Sequence, residues 1–234
     1  MPTVRVNNMR MYYEMHGSGA ALVLIAGLNS DHALFRSFIP RLAERYQVIV
    51  FDNRGIGQST GAESAFTIET LAEDTAGLLH ELGVTCGHVL GVSLGGRIAA
   101  ALALQYPNLV RSLILVSTCM EPPPCTWTQR GVGFILRLPV VRGGNSYGVV
   151  LRQRAATRLF TCTDRLHELR VPTLILVGRK DRLAPHYLVQ TMHERIAGSR
   201  LITFGGGHLF FIRQATPLMD AALAFLASID DGGT

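Results

Sequence analysis

Short apolar runs without a polar break constrain the fold of this chain more than any other feature. A strand with one exposed face alternates apolar and polar residues, whereas a strand buried on both faces does not. Uninterrupted runs bounded by turn residues are therefore typical of parallel sheets. We predict six such strands, at 21–27, 47–52, 88–92, 111–117, 172–178 and 200–206.

Two further patterns complete the predicted architecture. At the start of the chain, VRV and MRMYYEM flank Asn7 and Asn8, and asparagine tolerates the positive φ of a tight turn, so we predict a strand pair there. Helical patterns separate the later strands, at 35–45, 68–82, 97–106, 186–196 and 217–229. Alternating strands and helices predict an α/β fold with a mostly parallel eight-stranded sheet flanked by helices.

One segment interrupts this alternation. Residues 119–170 begin with three prolines, contain Gly143-Gly144 and include Arg-rich stretches of helical pattern. Open α/β sheets carry their sites at the carboxyl ends of the strands, where an insertion can form a roof. We predict one globular unit in which residues 1–118 and 171–234 form the core and residues 119–170 form a short helical cap.

Membrane, metal and disulfide functions are not indicated. MPTVRVNN lacks an apolar signal region, and the longest apolar run, at 21–28, is far shorter than the roughly 18 residues that cross a bilayer. We expect a soluble, cytoplasmic protein without membrane association. The four cysteines show neither C-x-x-C spacing nor a neighbouring histidine cluster, so we expect reduced thiols and no metal site.

The net charge of +5 and the pI near 9.3 raise the question of a nucleic-acid partner. The excess positive charge is confined to residues 119–170, which contain eight arginines and three carboxylates. The rest of the chain has no net charge. The charge therefore belongs to the predicted cap, and we expect no nucleic-acid partner.

A G-x-S-x-G motif, Gly91-Val92-Ser93-Leu94-Gly95, follows the predicted strand at 88–92 and precedes a predicted helix. A serine on a sharp strand-to-helix turn needs strained backbone angles and neighbours without Cβ atoms. A hydroxyl is a poor nucleophile at neutral pH, so Ser93 needs a base, and the base needs a group that orients it.

Candidate partners follow two later strands. Asp181 comes after the strand at 172–178, and His208 comes after the strand at 200–206. Glu121 is a reserve acid, while Asp52 more plausibly organises its own turn. An oxyanion site would take the backbone N–H groups of Leu94 and of Leu28, where Gly27 lets the chain turn.

These motifs resemble the α/β-hydrolase superfamily over nearly the whole chain, through AGL, FDNRGIGQS, GVSLGG, VGRKD and GGGH. The resemblance is closest to small carboxylesterases and to 3-oxoadipate enol-lactonases. It implies Ser93 as nucleophile, His208 as base and then acid, Asp181 as orienting acid, Leu28 and Leu94 as oxyanion donors, and no cofactor. This chain has Ala26-Gly27 where many members have His-Gly, and its cap is shorter than the usual one.

The cap bears on the substrate, which we expect to be a small-molecule ester or lactone. Residues expected to contact it are Gly27, Phe134, Arg137, Leu138 and Arg142. Cationic residues beside a site attract anions. This favours an anionic lactone, as in the enol-lactonases, or an acyl chain on an acidic carrier protein, as in pimeloyl-carrier methyl esterases.

Two other interpretations stay open. The arginines are also what a solvated helix face would carry, since Lys180 is the only lysine. A non-catalytic, receptor-like protein could keep the same fold and pocket for binding alone. The sequence leaves the oligomeric state undetermined.

Overall fold

One sheet forms the centre of the chain in a computed structural model that describes residues 2–123 and 145–232. Its strands are β1 Thr3–Val6, β2 Met9–His16, β3 Ala20–Ile25, β4 Tyr46–Phe51, β5 Gly87–Val92, β6 Val110–Val116, β7 Thr173–Gly178 and β8 Arg200–Phe204. The order across the sheet is β1-β2-β4-β3-β5-β6-β7-β8. The pairs β1–β2 and β2–β4 are antiparallel, and the other pairs are parallel. The predicted eight-stranded, mostly parallel sheet is confirmed.

Helices cover both faces of this sheet. They are α1 Ile39–Leu42, α2 Ile68–Glu81, α3 Leu94–Gln105, α4 Tyr147–Leu159, α5 His186–Arg195, α6 Phe210–Arg213 and α7 Ala215–Asp230. Single 3₁₀ turns occur at His32–Phe35, Pro107–Leu109 and Thr163–Glu168. No helix in the described parts of the chain is long and apolar enough to cross a bilayer.

The two faces explain why the apolar runs lack alternation. In β3, Val23 and Ile25 pack into the core that includes α2, α3 and α5, whereas Leu22 and Leu24 pack into the core that includes α1 and α7. Successive side chains of a strand point to opposite faces, so every position of such a strand must be apolar. This arrangement places the carboxyl ends of β3, β5, β6, β7 and β8 along one edge of the sheet.

The predicted strand pair at the start of the chain is confirmed. Val6 pairs with Met9, which leaves Asn7 and Asn8 as a two-residue turn. Asn7 has a φ of 52°, the left-handed conformation that such turns require and that asparagine adopts at little cost.

The predicted helix over 35–45 is wrong. The chain instead forms the 3₁₀ turn His32–Phe35, which the Asp31 carboxylate caps through the Ala33 N–H, and then the single turn of α1. Pro40 lies at the second position of α1, where its missing N–H is tolerated. In a continuous helix its ring would clash with the carbonyl of Arg36, so the helix cannot run through this point.

The predicted cap is described at residues 119–123 and 145–170. Its main described element is α4, which begins after Ser146, whose hydroxyl accepts a hydrogen bond from the Val149 N–H. The division into a core and a cap stays a prediction.

Candidate active site

Ser93 lies between β5 and α3 in a strained conformation. Its φ and ψ are 55° and −113°, a backbone conformation that residues other than glycine rarely adopt. Its N–H donates to the carbonyl of Val116 at 2.8 Å, and its carbonyl accepts from the Thr118 hydroxyl at 2.8 Å. The neighbouring strand β6 and the residues that follow it thus hold the sharp turn in place.

Two glycines make this turn possible because they have no side chain. A Cβ on Gly91 would lie 2.2 Å from the Gly95 carbonyl oxygen, and a Cβ on Gly95 would lie 2.0 Å from the Ile25 carbonyl oxygen. Both distances are far below van der Waals contact. The helix α3 therefore crosses the ends of β5 and β3 only because these positions lack a Cβ.

His208 connects Ser93 to Asp181. Its Nε2 lies 3.0 Å from the Ser93 hydroxyl oxygen, and its Nδ1 lies 2.9 Å and 3.0 Å from the two carboxylate oxygens of Asp181. The side chain of His208 is 11% exposed and that of Asp181 is fully buried. The structure thus brings together the serine, histidine and aspartate singled out from the sequence, and the histidine borders a pocket.

The Asp181 carboxylate is also fixed by backbone donors. Its Oδ1 accepts from the N–H groups of Leu183 and Ala184 at 2.8 Å and 2.9 Å. Such bonds hold the carboxylate toward the imidazole and satisfy its buried oxygen.

The two competing carboxylates have other partners. Glu121 accepts from the Thr163 hydroxyl at 3.3 Å. Asp52 is fully buried and accepts from the N–H groups of His32 and Gln58 and from the His32 ring at 2.8–2.9 Å. Asp52 therefore organises the loops around it, as expected, and Asp181 is the carboxylate beside His208.

The loop after β3 approaches Ser93 closely. The Ser30 N–H donates to the Gly27 carbonyl at 3.2 Å, which closes a turn over residues 27–30. A Cβ on Gly27 would lie 3.2 Å from the Val92 carbonyl oxygen and 3.4 Å from the Ser93 Cβ, so glycine permits this approach. Leu28 and Leu94 border the same pocket as Ser93 and His208.

The pocket above Ser93 is mainly apolar. Its described walls include apolar side chains of the core and two prolines of the predicted cap: Leu34, Val92, Leu209, Phe211, Pro122 and Pro123. From α4, Arg154, Thr157 and Arg158 also border it. Gly27 is in contact with this pocket, while the other predicted substrate contacts, Phe134, Arg137, Leu138 and Arg142, lie outside the described residues.

Sequence reasoning missed Ser117, at the end of β6. Its hydroxyl donates to the backbone carbonyl of His208 at 2.8 Å, and its own φ is 49°. This bond anchors the loop that carries the histidine. The only signal was the position of a serine at a strand end, which is common in sequences without such a role.

Arg97 was also missed. It lies in the first turn of α3, is 4% exposed, and donates to the carbonyls of Thr157 and Glu121. The last turn of α4 is a favourable place for a cation because its carbonyls are unpaired. Arg97 therefore ties the helix that follows Ser93 to the predicted cap.

Cys119 places a thiol at the same pocket. Burial raises the pKa of its thiol, and Arg97 offsets only part of that rise. The sulfur donates to the Glu121 carbonyl at 3.2 Å. A neutral, hydrogen-bonded thiol is a weak nucleophile, so Ser93 is the better candidate.

The other described cysteines and the described metal-ligating side chains form no competing site. Cys86, Cys119 and Cys162 are free thiols, and the pKa of Cys162 is raised by burial to about 12. Among residues 2–123 and 145–232, no group of three or more His, Cys, Asp or Glu side chains is placed to hold a metal ion.

The fold and this site define the class of protein. Residues 20–139 match the sequence profile of the alpha/beta hydrolase fold family. The chain therefore belongs to this family and is a hydrolase.

Known proteins that are similar to this chain have different named activities. RutD of Azorhizobium caulinodans, which carries the name of a carbamate hydrolase, is 29% identical over 98% of this chain and 100% of its own length. The esterase EaEST of Exiguobacterium antarcticum is 26% identical with a TM-score of 0.87, covering 97% of this chain and 99% of its own. The enol-lactonase of Burkholderia xenovorans LB400 is 22% identical with a TM-score of 0.89, covering 97% and 100%, and shares the fold.

Proposed function

We propose that this hydrolase cleaves carboxylic ester bonds of small to medium acyl substrates through an acyl-enzyme. The observation that carries the proposal is the unbroken series of hydrogen bonds from Ser93 through His208 to Asp181. This order of contacts is what an activated serine requires, since the base must reach the hydroxyl and must itself be held in one tautomer.

The proposed reaction has two stages. The Ser93 oxygen attacks the ester carbonyl carbon while His208 Nε2 takes the hydroxyl proton. Negative charge develops on the carbonyl oxygen, which accepts hydrogen bonds from the backbone N–H groups of Leu28 and Leu94. His208 then returns the proton to the alcohol as the bond between carbonyl carbon and alkoxy oxygen breaks. Water then loses a proton to the same nitrogen as its oxygen attacks the acyl carbon. The bond from that carbon to the Ser93 oxygen breaks, His208 returns the proton to the Ser93 oxygen, and the carboxylic acid leaves.

The pocket supports an ester with an acyl chain. Its walls are mostly apolar, and they surround the serine. The activities named for the similar proteins are compatible with one mechanism, because esters, lactones and carbamates all present a carbonyl carbon to the nucleophile. The apolar lining favours the ester among them.

The decisive experiment compares the wild type with Ser93→Ala on p-nitrophenyl butyrate. We expect the substitution to lower kcat by at least about 1000-fold, because a triad loses nearly all of its effect with its nucleophile. A matched panel adds longer acyl chains, a lactone and a p-nitrophenyl carbamate.

Ser228→Ala, in α7, serves as the control, since its hydroxyl donates to the Phe225 carbonyl far from the pocket. Equal hydrolysis by the wild type and Ser93→Ala would reject the esterase proposal. That result would favour the receptor-like protein that uses the pocket for binding alone.

A second candidate function narrows the substrate to an anionic one, such as a dicarboxylate half-ester, an anionic lactone or an acyl group on an acidic carrier. It is favoured by Arg154 and Arg158, which border the pocket one helical turn apart on α4. A guanidinium at the pocket can form a charge-assisted hydrogen bond with a carboxylate or phosphate.

The test replaces Arg154 by alanine and uses Arg152→Ala as the matched control. Arg152 lies on the same helix but donates to the Glu63 carbonyl at 3.3 Å. For the monomethyl ester of a dicarboxylic acid, we expect Arg154→Ala to lower kcat/KM about 10-fold more than for the corresponding neutral ester, with the difference shrinking at high salt. The same loss on both esters would reject an anionic substrate.

A further inference from the structure

The loop that carries Leu28 is held from outside the core. The N–H of Asn29, the next residue, donates to the side-chain oxygen of Gln153 at 2.9 Å. The carboxamide oxygen of Asn29 accepts from Asn145 at 2.9 Å. Gln153 lies in α4 and Asn145 just before it, so both contacts come from the predicted cap.

These contacts act on the peptide planes around Leu28. The Gly27 carbonyl shares a peptide plane with the Leu28 N–H, and it accepts from the Ser30 N–H. The Asn29 N–H lies in the next plane, which Gln153 fixes. With these two bonds in place, the orientation of the Leu28 backbone between the planes is determined.

The conformation needs this support because it is not the preferred one for an L-residue. Asn29 has a φ of 58°, and a positive φ at the third residue of a turn marks the type II pattern, in which glycine or asparagine is favoured. Rotation of the Leu28–Asn29 peptide would return Asn29 to negative φ. The bond to Gln153 opposes this rotation, because the rotated peptide would turn the Asn29 N–H away from its acceptor.

Gln153 holds its side-chain oxygen toward Asn29 although its side-chain nitrogen has no partner among the described residues. The residue is fully buried, and its Nε2 has no hydrogen-bond partner in the part of the chain that the structure describes. The amide cannot be reversed, since the atom facing the Asn29 N–H must be an acceptor. Gln153 is therefore held with its oxygen toward the Asn29 N–H.

Asn145 extends the same connection to a third loop. Its side-chain oxygen accepts from the Gly57 N–H at 2.8 Å, while its nitrogen donates to Asn29. The residues around Asp52 and the turn after β3 are therefore joined through one half-buried side chain.

We infer that Gln153, assisted by Asn145, is a positioning residue that sets the orientation of the Leu28 N–H for the oxyanion. The inference rests on the proposed function, since it concerns the transition state of attack by Ser93. It makes the oxyanion donor dependent on the placement of α4, so that the cap contributes to the chemical step as well as to the pocket wall.

The experiment compares Gln153→Met, which removes the acceptor at similar volume, with Gln153→Glu. A buried glutamic acid in its neutral form keeps a carbonyl acceptor and places its hydroxyl where the unpartnered nitrogen lies. We expect Gln153→Met to lower kcat about 10- to 100-fold, less than complete loss of an oxyanion donor, with KM changing less than about threefold. Gln153→Glu should recover most of this kcat.

A second measurement separates positioning from a general structural effect. A trifluoromethyl ketone forms a tetrahedral adduct with an activated serine and places an alkoxide in the oxyanion site. Its inhibition constant should rise in Gln153→Met by about the factor by which kcat/KM falls. Gln190→Met, at a position of α5 where the side-chain nitrogen donates to Glu194 at 3.1 Å near the surface, is the matched control and should leave both values unchanged.

The outcomes distinguish the two proposals. Full kcat and unchanged inhibition in Gln153→Met, while Ser93→Ala is inactive, overturns this inference and leaves the esterase proposal standing. If the methionine variant does not fold, Asn145→Ala decides, with an expected fall in kcat of about 3- to 10-fold at constant KM and an unchanged kcat as the overturning result. Equal activity of Ser93→Ala and the wild type rejects the proposed function itself.

Discussion

His88, Ser112 and Asp230 form a second set of serine, histidine and aspartate at the opposite edge of the sheet from Ser93. His88 Nδ1 lies 2.8 Å from the Ser112 hydroxyl oxygen, and its Nε2 lies 3.2 Å from Asp230 Oδ1. Both His88 and Ser112 are fully buried, so no substrate can reach the hydroxyl. Three matching residue types therefore do not make an active site unless the serine opens into a pocket.

The role of this second set is structural. Arg111 and the Tyr46 hydroxyl also bind Asp230, at 3.0 Å and 2.9 Å, which fixes the end of α7 to the sheet. Burial, together with Asp230, raises the pKa of Tyr46 to about 12, so its hydroxyl remains a donor.

A pH dependence of stability follows from His88. Burial lowers its pKa below the ordinary value near 6.5, although Asp230 acts in the opposite direction. The unfolded chain then binds a proton at His88 more readily than the folded one. We expect the free energy of unfolding to fall as the pH drops from about 6.5 toward the native pKa, with at most about 1.4 kcal/mol per pH unit from this residue.

Denaturant titrations of the wild type and His88→Gln between pH 7.5 and 5 measure this effect. The variant should show a shallower loss of stability on acidification than the wild type. His80→Gln, at an exposed position of α2, is the matched control and should follow the wild type. Parallel slopes in the wild type and His88→Gln would contradict the assignment.

At the level of elements, the crossing of β5, α3 and β3 decides the geometry around Ser93. The local sequence pattern predicts that α3 begins at Arg97, but the helix begins at Leu94, directly after the serine. The early start brings Gly95 against the end of β3, where its missing side chain is needed.

We expect Gly95→Ala to destabilise the fold by about 3 kcal/mol or more, because the new Cβ would lie 2.0 Å from the Ile25 backbone oxygen and neither backbone can move freely. Urea or guanidinium unfolding measures the change, and hydrolysis of p-nitrophenyl butyrate should be lost with the geometry of the turn.

Gly198→Ala is the control for this substitution. Gly198 has a φ of 69° and open space around its Cα, so only the conformational cost of about 1 kcal/mol is expected. A loss of less than about 1 kcal/mol in Gly95→Ala would show that the contact between α3 and β3 is more adaptable than the geometry indicates.

For the molecule as a whole, uninterrupted apolar runs carried most of the information about the fold. The runs of β3 to β7 are buried on both faces, so their pattern is local and readable without knowledge of the partner strands, whereas the edge strand β8 is only partly buried. The prediction of a helix over 35–45 was wrong because it followed the apolar pattern alone, although Pro40 in the middle of that range interrupts a continuous helix. Residues 124–144 hold Phe134, Arg137, Leu138 and Arg142, so those four substrate contacts stay predictions.

The sequence by itself determined which side chains reach the carboxyl edge of the sheet, because parallel strands end on the same side and the residues after them must meet there. Only the tertiary structure decided that Asp181, and not Glu121, lies beside His208, and that Ser117, Arg97 and Gln153 hold the surrounding loops. Those contacts join positions far apart in the chain, 124 residues in the case of Asn29 and Gln153. Side-chain directions across packed elements are set by the packing itself, and no local pattern records them.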